Sequence, residues 1–393
     1  MKRVLFVDDD PKVLDGLKRM LYPYRKDWDM VFAASGQKAL EQLDISNFDV
    51  VITDVRMPEM NGIELLAEVR ERHPQVVRMV LSGAADQELT ISSATVAHQY
   101  LAKPCDPTKL RETVERALNL RVMLDDPALK EVVSRIHSLP SIPMVYRQLM
   151  EAVQSPDTSP KEIGRIVARD VAMTAKVLQL VNSAFFGTTR RITNPTDAVI
   201  YLGTSTIRAL ALTVSVFSQF DTRRAPSFSL EALCNHSFAV ATFARQIATS
   251  MGLSAAEVED AFLGGLLHEL GKLVLACHYP EQFEAAFAHA RQQEVPLEQG
   301  ELAVFGTTDA HIGAYLLWLW GMPDDITGIV AQYSYPGRAI PRSPVVAVHV
   351  ANALLGDHAE DSLDTQCLSE LGLIDRVSEW KHLRADLKLE AVG

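Results

Sequence analysis

The chain has 393 residues, too many for one ordinary hydrophobic core, so two or three domains are expected. At 48% hydrophobic and 22% charged it reads as globular, and a net charge of -12 with no Lys/Arg-rich run excludes an electrostatic footprint for nucleic acid. Cys105, Cys234, Cys277 and Cys367 lie too far apart for a zinc or disulfide framework, and no apolar run, Ala314–Trp320 and Val345–Leu355 included, would span a bilayer. A soluble, cytoplasmic protein that binds neither DNA nor membrane is therefore expected, and the acidic turn after four apolar residues in MKRVLFVDDD argues against a signal peptide.

The first 125 residues alternate strand and helix. Val4–Val7 is a short continuous apolar run, as in a parallel strand buried on both faces. It ends in Asp8, Asp9 and Asp10, and Pro11 sits where a helix begins, carrying Val13, Leu14, Leu17 and Leu21 at helical spacing. A second strand near Met30–Ala33 leads through Ser35-Gly36 to a helix with Ala39, Leu40 and Leu43. Val50–Thr53 is the third strand, closed by Asp54, and Ile63–Arg72 the next helix. Val76–Leu81 is the fourth strand, followed by Ser82-Gly83, a weaker helix over 86–95, a fifth strand at Gln99–Leu101, and Lys103-Pro104 before the last helix. Five alternations predict a doubly wound α/β domain, a five-stranded parallel sheet with helices on both faces.

In such a sheet, function gathers at the carboxyl ends of the strands. Those ends deliver Asp8 and Asp9, then Asp54, Ser82 and Lys103. Three crowded carboxylates repel one another unless a divalent cation neutralises them, and an all-oxygen ligand set points to magnesium. A carboxylate can then attack a phosphoryl group, with Lys103 and the Ser82 hydroxyl covering charge in the transition state. An ordinary acidic strand-end cluster explains each piece singly but not all of them in this order.

The segments VLFVDDD, VVITDVRMPEMNG, MVLSG and YLAKP make residues 1–122 resemble the response-regulator receiver family closely. The resemblance implies that Asp54 is the phosphorylated residue and that Asp8 and Asp9 are the acidic pair binding Mg2+, with the backbone carbonyl of Arg56 completing the metal shell. It further implies that Ser82 is the switch hydroxyl, Tyr100 the aromatic that turns inward with it, Lys103 the phosphate-binding lysine, and Lys103-Pro104 a cis bond. A histidine kinase or phosphotransfer protein is the implied partner.

After Pro107 one helix continues with Leu110, Val114, Ala117, Leu118 and Val122, a stripe that fits a homodimer seam or a plain terminal helix alike. Asp125-Asp126-Pro127 marks a boundary, with 123–130 as linker or extended helix. Beyond it the reading is an all-α bundle of about a dozen helices, with breaks at 139–143, 155–160, 193–197, 223–227 and 322–325. Ser159-Pro160 with Glu162 makes a capped helix start, and Ile163, Ile166, Val167, Val171, Ala175, Leu178 and Val181 read as core before the polar stop Asn182-Ser183.

That stretch, with LLHELGKLVL (266–275) and VHVANALLG (348–356), resembles the HDOD domain, a relative of HD phosphohydrolases, over about 131–340, with 341–393 as a helical extension packed alongside. The resemblance places the HD metal positions at His236, His268, Glu269 and Asn352. Glu for Asp at 269 and Asn for Asp at 352 depart from the hydrolase pattern, and no adjacent histidine pair stands near Gln332-Tyr333. The set reads as a hydrogen-bonded polar remnant, so no metal and no enzymatic activity are expected there, and Asp309 and His311 add no second metal site. His289, His349 and His358 read as surface or core histidines, and Trp318–Trp320 as helical core. Two functions remain to be weighed. One is a phosphorelay response regulator whose HDOD output binds an unidentified protein. The alternative is a receiver-controlled, metal-dependent phosphohydrolase or cyclic-dinucleotide phosphodiesterase.

Overall fold

The computed structural model describes residues 2–83, 93, 96–123, 139–140, 143–155, 158–182, 191–212, 217–218, 225–336, 343–356 and 363–385. The expected helix at 86–95 (save Ser93), the boundary at 125–127, Ser183 and His358 lie outside these residues.

The amino-terminal domain contains β1 (Lys2–Val7), α1 (Pro11–Leu21), β2 (Trp28–Ala33), α2 (Gly36–Ile45), β3 (Val50–Asp54), α3 (Gly62–Arg72), β4 (Val77–Gly83), β5 (Gln99–Lys103) and α4 (Pro107–Met123). The five strands are parallel in the order β2-β1-β3-β4-β5. β1 and β3 are interior strands, and Val4–Phe6 and Val50–Ile52 are fully buried, which is why their sequences are unbroken apolar runs. Helix starts follow local chemistry. Asp10 caps α1 with Pro11 in the first turn, Ser35 caps α2, and Asn61 with Glu64 forms a reciprocal capping box on α3. β5 runs two residues further than expected, because Ala102 and Lys103 stay in register with Ser82 and Gly83.

The carboxy-terminal region contains fourteen helices among the described residues. The first four are α5 (Pro143–Gln154), α6 (Pro160–Val167), α7 (Val171–Val181) and α8 (Pro195–Leu212). The long α9 (Leu230–Ser250) then packs on α10 (Ala255–Leu267) and on the later α16 (Pro344–Leu355). Between them come α11 (Leu270–His278), α12 (Pro280–Gln293), α13 (Leu297–Phe305), α14 (Asp309–Leu319) and α15 (Asp324–Gln332). The expectation of a purely helical region needs one amendment. Leu139–Pro140 (β6) and Phe217–Ser218 (β7) pair in parallel, strands of two residues that carry no period-2 pattern to read. The chain continues in α17 (Thr365–Glu370) and α18 (Val377–Ala385). α18 seats a fully buried Trp380 whose Nε1 donates to Ser250 Oγ at 3.0 Å, so these residues dock on α9.

Candidate functional site

The strand ends bring together Asp8, Asp9 and Asp54, each with a carboxylate oxygen within 4.8 Å of the others. Asp8 is held by the Asp10 backbone N–H, which donates to its Oδ1 at 2.9 Å. Asp54 ends β3, where the chain must turn sharply toward α3. Gly62 permits that turn, because a Cβ there would lie 2.0 Å from the Asp54 carbonyl oxygen. From β5, Lys103 Nζ reaches Asp8 Oδ2 and Asp54 Oδ1, both at 2.6 Å. Burial raises the Asp54 carboxyl above its ordinary range, and the Lys103 hydrogen bond and charge oppose this. Burial alone would lower Lys103, but its bonds to Asp54 and Asp8 outweigh it and hold the ammonium above its usual value.

Ser82 is fully buried at the end of β4, opposite Ala102. Tyr100 is 1% exposed, and burial drives its hydroxyl pKa up beside Ser93. The Lys103-Pro104 peptide is cis, and Arg56 lies in the loop two residues after Asp54. The three carboxylates form a hard-oxygen set suited to a divalent cation, with one carboxylate and one lysine left to meet an incoming phosphoryl group.

The second cluster lies inside the helical bundle. His236, His268 and Glu269 offer ligand atoms within 4.8 Å of one another. The Asn352 amide from α16 sits between the two rings, 2.9 Å from His236 Nε2 and 3.2 Å from His268 Nε2. His268 Nδ1 donates to the Gly265 carbonyl at 2.7 Å, and burial lowers its pKa to about 4, so the ring is neutral with only a lone pair on Nε2. The amide orientation that satisfies this ring turns its NH2 toward the histidines. The donor then stands where a cation would have to sit. Glu269 is committed as well: burial would raise its pKa, but Lys272 at 2.6 Å pulls it down to about 2. These donors do not fit a metal site, since one amide fills the focus and one ammonium holds the carboxylate.

A further set went unread in the sequence. Lys272, Glu301, Asp309 and Tyr333 are buried around the same bundle axis, with the Asp309 N–H donating to Glu301 Oε2 at 2.8 Å and Tyr333 OH to Asp309 Oδ2 at 3.2 Å. Burial, and then the Asp309 charge, pushes Glu301 up to about 10. The Glu269–Lys272 spacing of i, i+3 is a sequence signal for that pair, whereas Glu301 offered none. His289 is exposed. His349 is 2% exposed with both nitrogens used: Nδ1 donates to the Tyr333 carbonyl at 2.8 Å, and Nε2 accepts from the Asp364 N–H at 2.9 Å.

Comparison with known proteins agrees with this division. A response regulator receiver model matches residues 4–115 and an HDOD domain model matches residues 139–336. An uncharacterized protein of Treponema pallidum (strain Nichols) is 26% identical over 57% of this chain and 43% of its own. The hydrogenase transcriptional regulatory protein HoxA of Cupriavidus necator is 31% identical over 42% of this chain and 37% of its own. The transcriptional regulatory protein ZraR of Escherichia coli K12 is 35% identical over 29% of this chain and 26% of its own. The chain thus spans less than half the length of these relatives. Among solved structures, a virulence factor from Campylobacter jejuni shares the fold with a TM-score of 0.51 at 20% identity, covering 66% of this chain and 96% of that one. No helix among the described residues is long and apolar enough to cross a membrane. With half its length matched by one family and its strand-end site in a receiver fold, the chain belongs to the HDOD domain family and is a response regulator of the two-component type, a receiver joined to an HDOD domain.

Proposed function

We propose that Asp54 accepts a phosphoryl group from a histidine kinase or phosphotransfer protein in the cytoplasm, and that the HDOD domain passes the signal on by contact with a protein rather than by catalysis. The observation that carries the first half is Lys103 Nζ at 2.6 Å from both Asp8 and Asp54 at the ends of three parallel strands. Asp8, Asp9 and Asp54, with the Arg56 carbonyl, would hold Mg2+, which supplies charge neutralisation for the phosphoryl oxygens. Asp54 Oδ attacks phosphorus, Lys103 pairs with a phosphoryl oxygen, and the Ser82 hydroxyl turns toward the new group with Tyr100 filling the space it leaves.

The second half rests on Asn352 and Lys272. Each occupies a partner that hydrolysis through His236, His268 and Glu269 would require free. Incubation with acetyl phosphate and Mg2+, followed by phosphate-affinity electrophoresis, should shift the wild-type band, with no shift for Asp54→Asn or with chelator present. An equal shift in Asp54→Asn would remove Asp54 from the role. No cyclic-dinucleotide turnover is expected with added Mn2+, and turnover abolished by His268→Ala would instead establish the hydrolase reading.

A further inference from the structure

The two domains touch through a small set of buried polar groups at the amino-terminal end of β5, opposite the end that carries Lys103. Gln99 Nε2 donates to the Leu319 carbonyl at 3.3 Å, and in return Gln179 Nε2 donates to the His98 carbonyl at 3.1 Å. Each domain thus satisfies a backbone carbonyl of the other with a side-chain amide. Gln179 is fully buried, while Gln99 and His98 are 7% and 8% exposed. Beside them Lys176 Nζ lies 3.2 Å from Gln179 Oε1 and 4.3 Å over the Trp320 ring. Gly321, at φ 78, turns the chain between α14 and α15 where the Gln99 amide packs against it. Lys176 and Gln179 are polar positions in a helix buried at every residue, which the core of the bundle alone does not call for.

β5 links this contact to the phosphorylation site. Tyr100 follows Gln99 directly and pairs with Val80, Ala102 pairs with Ser82, and Lys103 grips Asp8 and Asp54. A strand of this kind moves as a unit, and buried amide-to-carbonyl bonds do not survive a change of alignment without leaving donors and acceptors unmet. Opening is also favoured by solvation, since burial in the closed contact lowers the Lys176 ammonium to about 7.

We infer that the Gln99–Leu319 and Gln179–His98 pair is a latch that holds receiver and HDOD domain closed in the unphosphorylated chain, and that the phosphoryl group on Asp54, drawing Lys103 and Tyr100 to itself, releases it and bares α7 and the α14–α15 turn. This rests on Asp54 being the phosphoacceptor.

Hydrogen–deuterium exchange on the full chain, with and without beryllofluoride and Mg2+, tests it, and the 19F spectrum reports whether the Asp54 site is loaded. Loading should speed exchange in 171–181 and 316–322 by about tenfold. Gln99→Ala/Gln179→Ala, checked for native circular dichroism, should already exchange at that rate unloaded and gain nothing further. Bound 19F signal with unchanged or slowed exchange in both segments overturns the latch and leaves the phosphoacceptor reading standing. Absence of a bound signal overturns both. The wild-type comparison decides the matter by itself should the double variant fail to fold.

Discussion

At 2.6 Å from both Asp8 and Asp54, the Lys103 ammonium offsets the repulsion of carboxylates that are otherwise mostly buried. Removing it leaves charges without compensation, so Lys103→Ala should lower stability by about 3–5 kcal/mol in chelator, and Mg2+ should restore part of the loss by binding the native state. Denaturant titration with and without Mg2+ checks this, and equal midpoints for wild type and variant in chelator would contradict it. Glu301 presents the opposite case. Its folded pKa of about 10 stands above the unfolded value, so the native state keeps a proton that the unfolded chain releases. Its effect on stability is therefore neutral below about pH 4.5 and increasingly unfavourable up to about pH 10. Glu301→Gln keeps an oxygen for the Asp309 N–H and loses that penalty. The variant should be more stable than wild type above neutral pH, with the gap widening by at most about 1.4 kcal/mol per pH unit. A gap independent of pH would show that Glu301 is ionised in the folded protein.

Close approaches between elements set a second group of constraints. α11 and the start of α14 meet at Gly271, where a Cβ would lie 1.8 Å from the Asp309 carbonyl oxygen. Gly271→Ala must push two backbones apart and should cost about 3 kcal/mol or more, visible as a lowered denaturation midpoint with the receiver transition unmoved. Trp380 anchors α18 on α9, and Trp380→Ala should cost about 3–5 kcal/mol, whereas a loss below 1 kcal/mol would mean that the extension docks loosely. The legibility of the elements follows the same physics. The receiver strands were readable because parallel strands buried on both faces are unbroken apolar runs, and α3 because Asn61 and Glu64 announce its start. Strands β6 and β7 were not, being two residues long. The site residues of the receiver sat in short motifs at strand ends, and His236, His268, Glu269 and Asn352 were found through the family pattern. Glu301, Lys176 and Gln179 escaped because their partners are remote in sequence, and a polar residue in an apolar helix does not say what it faces.

At the scale of the whole molecule, each domain buries a histidine that its surroundings keep neutral. In the receiver, the Arg78 N–H donates to His98 Nδ1 at 3.0 Å, and Arg78 Nη2 lies 2.7 Å from Nε2, so an imidazolium would direct its protons at donors. Burial, then the charges of Arg78 and Lys176, holds the His98 pKa well below 6.5. In the HDOD region, His349 gives its proton to the Tyr333 carbonyl and takes one from the Asp364 N–H, which fixes a neutral tautomer, and burial lowers its pKa too. Both groups have folded values below the unfolded 6.5, so the stability tied to them is complete above that pH and is lost as pH falls through the interval beneath it. Since His98 also contributes its carbonyl to the interdomain bond with Gln179, acid should loosen the receiver and its contact with α7 together. Denaturant unfolding at pH 7.5 and at pH 5 should show both domains weakened at the lower pH, by up to about 1.4 kcal/mol per pH unit for each histidine. His349→Asn, which can offer one acceptor and one donor group in a similar place, should flatten that dependence for the HDOD transition alone. An HDOD transition whose pH dependence is the same in His349→Asn as in wild type would assign the acid sensitivity to other groups.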